Sequence, residues 1–196
     1  MSCIRIIHKP DYISWDDLAK CQQRAHESNK AMGVCMKCAD YSADDLESAL
    51  KNAITLIALD ESDALAGMLS IDFGEVKRWW HKGMAAYICY VAVAPEFKGR
   101  GVYRLLSNKA EEITRDKDIN VEYLHTHVNN TVAKKTYERD GYVAVRFSPG
   151  SGTDYYQVEM AKWMKGSRNI LLCKLMFLFT ELITKLLYKP GKTRRF

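Results

Sequence analysis

The chain has 196 residues, 47% of them hydrophobic, which suffices for one buried core and makes one domain the simplest count. Its net charge of +5 is uneven: from Lys162 onward nine Lys/Arg stand against Glu181 alone, a net of +8, so residues 1–161 carry −3. The basic excess therefore belongs to the tail; it argues against a nucleic-acid groove in the globular part and points to a membrane surface or an acidic partner.

In chain order, Cys3–His8 alternates like a strand. Ser14 followed by Asp16 and Asp17 opens a helix that runs to about Lys30, and Ser42 with Asp44 and Asp45 opens a shorter one ending near Lys51. Ile54–Leu59 and Leu65–Phe73 read as a hairpin around Asp60–Asp63. Glu75–Gly83 is a polar and aromatic connection, and Ala85–Val93 a buried central strand. After Pro95 comes a basic loop with two glycines, then a helix from about Val102 to Arg115. A strand (Tyr123–Val128), a helix (Asn130–Arg139) and two more strands (Tyr142–Phe147, Tyr155–Met160) follow, the last two joined by a Pro/Gly-rich turn. The order predicts an α/β domain with a mixed sheet, followed by an extra helix.

The six cysteines do not call for a disulfide framework. The N-terminus lacks the basic and apolar regions of a secretory leader, so free thiols in a reducing, cytoplasmic compartment are expected. Cys35 and Cys38 form a lone CxxC with no second ligand pair, so no metal is expected.

The densest chemistry lies in Val91–Leu106, VAVAPEFKGRGVYRLL. Gly99 and Gly101, flanked by Lys98 and Arg100, let backbone N–H groups converge on an anion, and the N-terminus of the next helix adds more of them. Together they suit a pyrophosphate. This segment resembles motif A of the GCN5-related N-acetyltransferase (GNAT) family. Lys98 stands where Gln or Arg is usual, which keeps the charge but loses the fork, and Tyr103 stands where a second small residue is usual. A second stretch, Asn130–Tyr142, is similar to the family's following segment at Asn130, Ala133, Tyr137, Gly141 and Tyr142.

The resemblance implies a GNAT-like mixed, mostly antiparallel sheet flanked by helices, within residues 1–163, and an acyltransferase using acetyl-CoA as co-substrate. It implies that Lys98, Gly99, Arg100, Gly101, Val102 and Tyr103 hold the pyrophosphate and that Asn130 and Ala133 meet the CoA arm. The backbone of Val91, Ala92 and Val93 would polarise the acyl carbonyl, and Tyr137 would serve as general acid for the leaving thiolate. The acceptor implied is a small-molecule amine, read by the N-terminal helices (about Ser14–Lys51) and the loop around Glu75–Gly83. Asp72, Glu75, His81, His125, His127 or water remain open as the general base, and Cys89 is the less favoured option of an acyl-carrying nucleophile. A membrane-associated acyltransferase with longer donors or lipid-like acceptors, and a non-catalytic acyl-CoA-binding protein, remain as alternatives.

Residues 164–196 read as a basic amphipathic helix and tail. Within Ile170–Tyr188, Lys174, Glu181 and Lys185 fall within about 40° of one another on a helix, leaving the rest apolar. Three charges make a membrane span costly. Residues 168–188 are thus expected to lie on a membrane surface, or to pack on the domain or a second subunit.

Overall fold

In a computed structural model of the chain, residues 4–30, 33–34, 36–150, 155–165 and 169–188 are described. Seven strands form a mixed sheet in the order β1-β2-β3-β4-β5-β7-β6, with five helices. The strands are β1 Arg5–His8, β2 Ile54–Leu59, β3 Leu65–Lys77, β4 Lys82–Val93, β5 Val121–His127, β6 Val143–Pro149 and β7 Tyr156–Trp163. The helices are α1 Trp15–Lys30, α2 Ala43–Leu50, α3 Val102–Asp116, α4 Thr131–Arg139 and α5 Ile170–Leu187. The chain divides into two compact units, Met1–Gly74 with Ala86–Ile119, and Glu75–Ala85 with Asn120–Phe196.

In the first unit, β1, β2 and β3 pair antiparallel, Ile6 opposite Ala58 and Leu56 opposite Leu69. Both expected helix starts form capping boxes. Asp17 N donates to Ser14 Oγ at 3.1 Å while Ser14 N donates to Asp17 Oδ2 at 2.9 Å, and Ser42 with Asp45 repeats the arrangement. Each satisfies two backbone donors at a helix end, and the Asp17 and Asp45 carboxyls are held below their usual range by these serine hydrogen bonds. Val102, Leu106 and Ala110 recur at helical spacing and put one face of α3 inside, packed on β1 and β2.

In the second unit, the hairpin is tighter than the sequence suggests. The expected connection Glu75–Gly83 shrinks to Arg78–His81, closed by Arg78 N donating to His81 O at 2.8 Å and His81 N donating to Arg78 O at 3.3 Å. Burial explains the extension: Val76 points inward and Trp80, 2% exposed, sits in a cluster with Ala85, Val121, Val145, Ala161 and Cys173. Trp80 is therefore a core residue, while Trp79 is exposed. β5, β7 and β6 pair antiparallel, and Val145 enters the cluster at a bulge between Ala144 and Arg146.

Edge strand β6 would leave backbone groups unpaired, and α5 covers them. Phe147 N donates to Thr180 Oγ1 at 3.0 Å, Thr184 Oγ1 donates to Phe147 O at 3.2 Å, and Tyr156 Oη donates to Tyr188 O at 2.6 Å. No helix among the described residues is long and apolar enough to cross a membrane.

Candidate active site

The glycine loop leaves β4 through a single turn, Pro95–Phe97, and enters α3 at Gly101. Gly99 and Gly101 hold φ of +77° and +81°, a region L side chains rarely adopt, and a Cβ on either would meet nothing within 4 Å. Backbone geometry, not crowding, requires these glycines, and the space beside them is open to a ligand. The first helical bond of α3 runs from Leu105 N to Gly101 O at 3.2 Å, so the N–H groups of its first turn point out of the helix end, where the dipole is positive. Val102 is buried beneath the loop and Tyr103 is half-buried. Arg100 lies with its guanidinium carbon 5.4 Å from the Phe97 ring centroid.

The Lys98 ammonium is turned away from this turn. Its Nζ donates to Ala25 O at 2.9 Å and Ser28 Oγ at 3.2 Å, both on α1. Lys98 thus ties the loop to α1 and offers the loop its backbone.

Further ties from α1 were not legible in the sequence. Gln22 Nε2 donates to Tyr90 O at 2.6 Å, and His26 makes a hydrogen bond with the backbone of Val91. Arg24 grips Glu96 with Nη2 at 2.9 and 2.7 Å from its two carboxylate oxygens. Gln22 and His26 are one helical turn apart and reach consecutive residues of β4. Tyr90, with φ +50°, breaks the strand's alternation there. Burial, with Lys98 adding, holds the His26 ring below its usual range, so it sits neutral, its Nδ1 2.9 Å from Asn29 Nδ2. Gly67 on β3 completes this packing: a Cβ there would lie 2.6 Å from Ala92 O and 3.2 Å from Val102 Cγ1. Val91–Val93 are therefore held from α1 on one side and packed closely on β3. The only possible signal in the sequence was the amphipathic spacing of Gln22 and His26.

The first unit also carries an open cleft of about 440 Å³ lined by Lys37, Asp40, Tyr41, Asp45, Ser48 and Ala49. Tyr41 connects it to β4, its ring centroid 6.1 Å from that of Tyr90.

In the second unit, Asn130 caps α4, its Oδ1 accepting from Ala133 N at 3.1 Å. This capping explains the spacing of Asn130 and Ala133: the N-cap side chain serves the third residue of the helix. Tyr137, two turns along, is half-buried, with its ring centroid 6.0 Å from that of Tyr142 in an edge-on contact. Tyr142 is itself fixed, its Oη donating to the buried Glu122 Oε2 at 2.8 Å. Gly141, at φ +92°, makes the bend that returns the chain from α4 to Tyr142.

The candidate bases are dispersed. In the first unit, Asp72 is exposed on β3. In the second, Glu75 is exposed and pairs with Lys77 at 3.3 Å, while His81 Nε2 lies 3.0 Å from Met84 O. His127 Nδ1 accepts from Asn129 N at 3.0 Å, and burial with the nearby Lys134 lowers its affinity for a proton. His125 is the most elaborated: its Nε2 lies 3.0 Å from Oε2 of Glu159, its direct cross-strand partner, and Trp80 Nε1 donates to Glu159 Oε1 at 2.7 Å. Burial alone would raise the Glu159 carboxyl, but His125, Trp80 and Arg146 outweigh it and hold it below the usual range. Cys89 is a poor nucleophile, because burial, with Asp72 and Cys38 adding, pushes its thiol far above the usual range.

Cys38 is half-buried, its thiol pushed up to about 11 by burial, and Cys35 lies outside the described residues. Among the described residues no group of three or more His, Cys, Asp or Glu is placed to hold a metal ion.

The chain matches the family model described as the acetyltransferase (GNAT) family over residues 15–142. No curated protein sequence matches it. Among solved structures, a GNAT-family acetyltransferase from Staphylococcus aureus Mu50 superposes with a TM-score of 0.64 at 14% identity, covering 83% of this chain and 100% of that one. The PaiA N-acetyltransferase of Thermoplasma acidophilum, solved in complex with coenzyme A, gives 0.63 at 18% identity, covering 82% and 99%. A GCN5-related N-acetyltransferase from Kribbella flavida gives 0.63 at 16% identity, covering 82% and 97%. At such identities the superpositions speak for the fold, and the family model, spanning more than half of the chain, speaks for the sequence. The chain belongs to the GNAT family of acetyltransferases.

Proposed function

We propose that this acetyltransferase moves an acetyl group from acetyl-CoA to a primary amine of a small molecule by direct attack. The observation that carries the reading is the turn at Gly99 and Gly101, both left-handed and both with open space beside them, leading into the N-terminus of α3. Such a turn suits the pyrophosphate of CoA, and Lys98–Tyr103 would hold it through backbone N–H groups. The backbone of Val91–Val93 would polarise the thioester carbonyl, and its fixation by Gln22, His26 and Gly67 supports a preorganised role.

The step balances simply. The amine nitrogen forms a bond to the acetyl carbon, the carbon–sulfur bond breaks, and the amine loses its proton to a base or water. The Tyr137 hydroxyl gives a proton to the departing thiolate. The Tyr142–Glu122 hydrogen bond supports this role by holding the ring packed against Tyr137. In the second unit Asn130 would present its amide nitrogen to the CoA arm, since its oxygen caps α4. The high affinity of Cys89 for its proton favours direct attack over an acyl-enzyme.

The cleft lined by Asp40, Tyr41 and Asp45 is the acceptor side in this reading. Its two carboxylates favour a cationic small molecule, although Asp40 also pairs with Lys30 at 2.6 Å. Cys21, Cys38 and Cys89 stand as thiols, in keeping with a cytoplasmic setting. Calorimetric titration with acetyl-CoA, beside thiol release on pooled small amines, tests the proposal. Micromolar binding with amine-dependent release is expected; binding without release on any amine, or no binding, would overturn it.

A further inference from the structure

Helix α5 is built outside in. Its inner face is committed to protein: Cys173 is buried in the cluster around Trp80, Phe177 packs edge-on against Phe147 at 6.1 Å, and Thr180 and Thr184 bond the backbone of Phe147. At 100° per residue these four lie within about 60° of one another. Leu171, Leu175, Leu178, Leu182 and Leu186 lie within about 80° of one another on the roughly opposite side. They are 55–71% exposed. The three charges, Lys174, Glu181 and Lys185, occupy a narrow stripe between the two faces, and Glu181 and Lys185 pair with each other at 2.5 Å. A helix docked on a globular protein ordinarily turns its polar side to water; this one turns leucines outward. The bonds to Phe147, with Tyr188 O held by Tyr156, prevent it from rolling the leucines inward.

We propose that the leucine face of α5 docks on an anionic lipid surface, lying in the plane of the membrane. Charge selects this occupant. The sequence around the helix is strongly basic, with Lys162, Lys165 and Arg168 before it, Lys189, Lys192, Arg194 and Arg195 after it, and a net of +8 from Lys162 onward. Two copies joined through this face would bring two such charges together, whereas anionic headgroups neutralise them. Crossing the bilayer is not an option for a helix of this length and polarity. The inference is independent of which amine the enzyme acetylates.

The test is co-sedimentation of the full chain with vesicles of phosphatidylcholine alone and of phosphatidylcholine with about 30% phosphatidylglycerol, at low and high salt. The expected result is binding to the anionic vesicles at least about tenfold tighter than to the neutral ones, weakened by salt. A Leu178→Glu/Leu182→Glu variant, its fold checked by thermal melting, should lose at least about tenfold in affinity. The vesicle comparison needs no variant, so a misfolded variant leaves the test intact. A chain that stays in the supernatant with both vesicles overturns the proposal. So does equal binding to both, or a dimer in light scattering that the same variant splits, which would make a second copy the occupant.

Discussion

Gln22 and Tyr90, 68 residues apart, meet through a hydrogen bond of 2.6 Å from the Gln22 amide nitrogen to the Tyr90 carbonyl. Tyr90 is the residue where β4 takes a left-handed φ, and Gln22 is 1% exposed. Gln22→Ala removes a buried donor from a kinked strand just ahead of Val91–Val93. The expected cost is about 1–3 kcal/mol of stability. In the proposed mechanism kcat should fall as well, since the polarising backbone loses a support. Urea unfolding beside steady-state kinetics checks both; an unchanged midpoint would mean that the bond does not hold β4.

Two glycines separate folding from binding. Gly67→Ala puts a Cβ 2.6 Å from Ala92 O, so it should destabilise by about 1–3 kcal/mol or more. Gly99→Ala meets no neighbour and suffers only the left-handed backbone, roughly 1–2 kcal/mol. Its larger effect should be on acetyl-CoA affinity. Thermal melting with and without acetyl-CoA distinguishes them: ligand should raise the midpoint of Gly67→Ala, once folded, and do little for Gly99→Ala.

Much of this was legible in the chain. Asn130 and Tyr137 were marked by the resemblance to the GNAT family, whereas Gly99 and Gly101 are visible from local chain chemistry, as glycines of a basic loop ahead of a helix. Ser14 and Ser42 announced their helices by local chemistry too, as caps. Gln22, His26, Gly67 and Glu159 were not legible, because their roles arise between segments distant in sequence. Trp80 stays in the shortened connection Arg78–His81, but the flanking strands reach Lys77 and Lys82, further than the mixed polar and aromatic sequence suggests, because Val76 and Trp80 are buried. The stripe of charges on α5 could be read from periodicity, but not which side would meet β6.

Stability should respond to pH in two windows. Burial lowers the proton affinity of His26 and His127 below the ordinary 6.5, with Lys98 and Lys134 adding respectively. A lowered folded value favours the neutral ring, so that contribution is complete above 6.5 and is lost as pH falls through the folded values. Glu159, held below 4.5 by His125, Trp80 and Arg146 against its burial, contributes above 4.5 and loses its contribution as pH falls through its folded value. The urea midpoint should therefore decline from about pH 6.5 and again below about pH 4.5. Glu159→Gln should reduce the second decline, to which Asp17 and Asp45 also contribute, and leave the first; a parallel curve would contradict this assignment.

Cys89 is expected to be dispensable for transfer. Its half-buried thiol, held far above the usual range, stays protonated near neutral pH, so Cys89→Ala should keep kcat within about threefold of the parent, far short of the loss expected for a nucleophile. Initial-rate patterns should be sequential in acetyl-CoA and amine. Parallel lines, with loss of activity in Cys89→Ala, would show an acyl-enzyme instead.

The most direct test of the central claim is amine-dependent thiol release from acetyl-CoA by the parent and by Tyr137→Phe, with acetyl-CoA affinity measured on both. Tyr137 packs against a Tyr142 fixed by Glu122, so removing its hydroxyl should leave fold and affinity nearly intact. The account predicts that kcat falls about 10²-fold or more, with little change in Kd. Equal turnover by the two proteins would contradict the role given to Tyr137, and an absence of release by the parent on every amine would contradict acetyl transfer to small amines altogether.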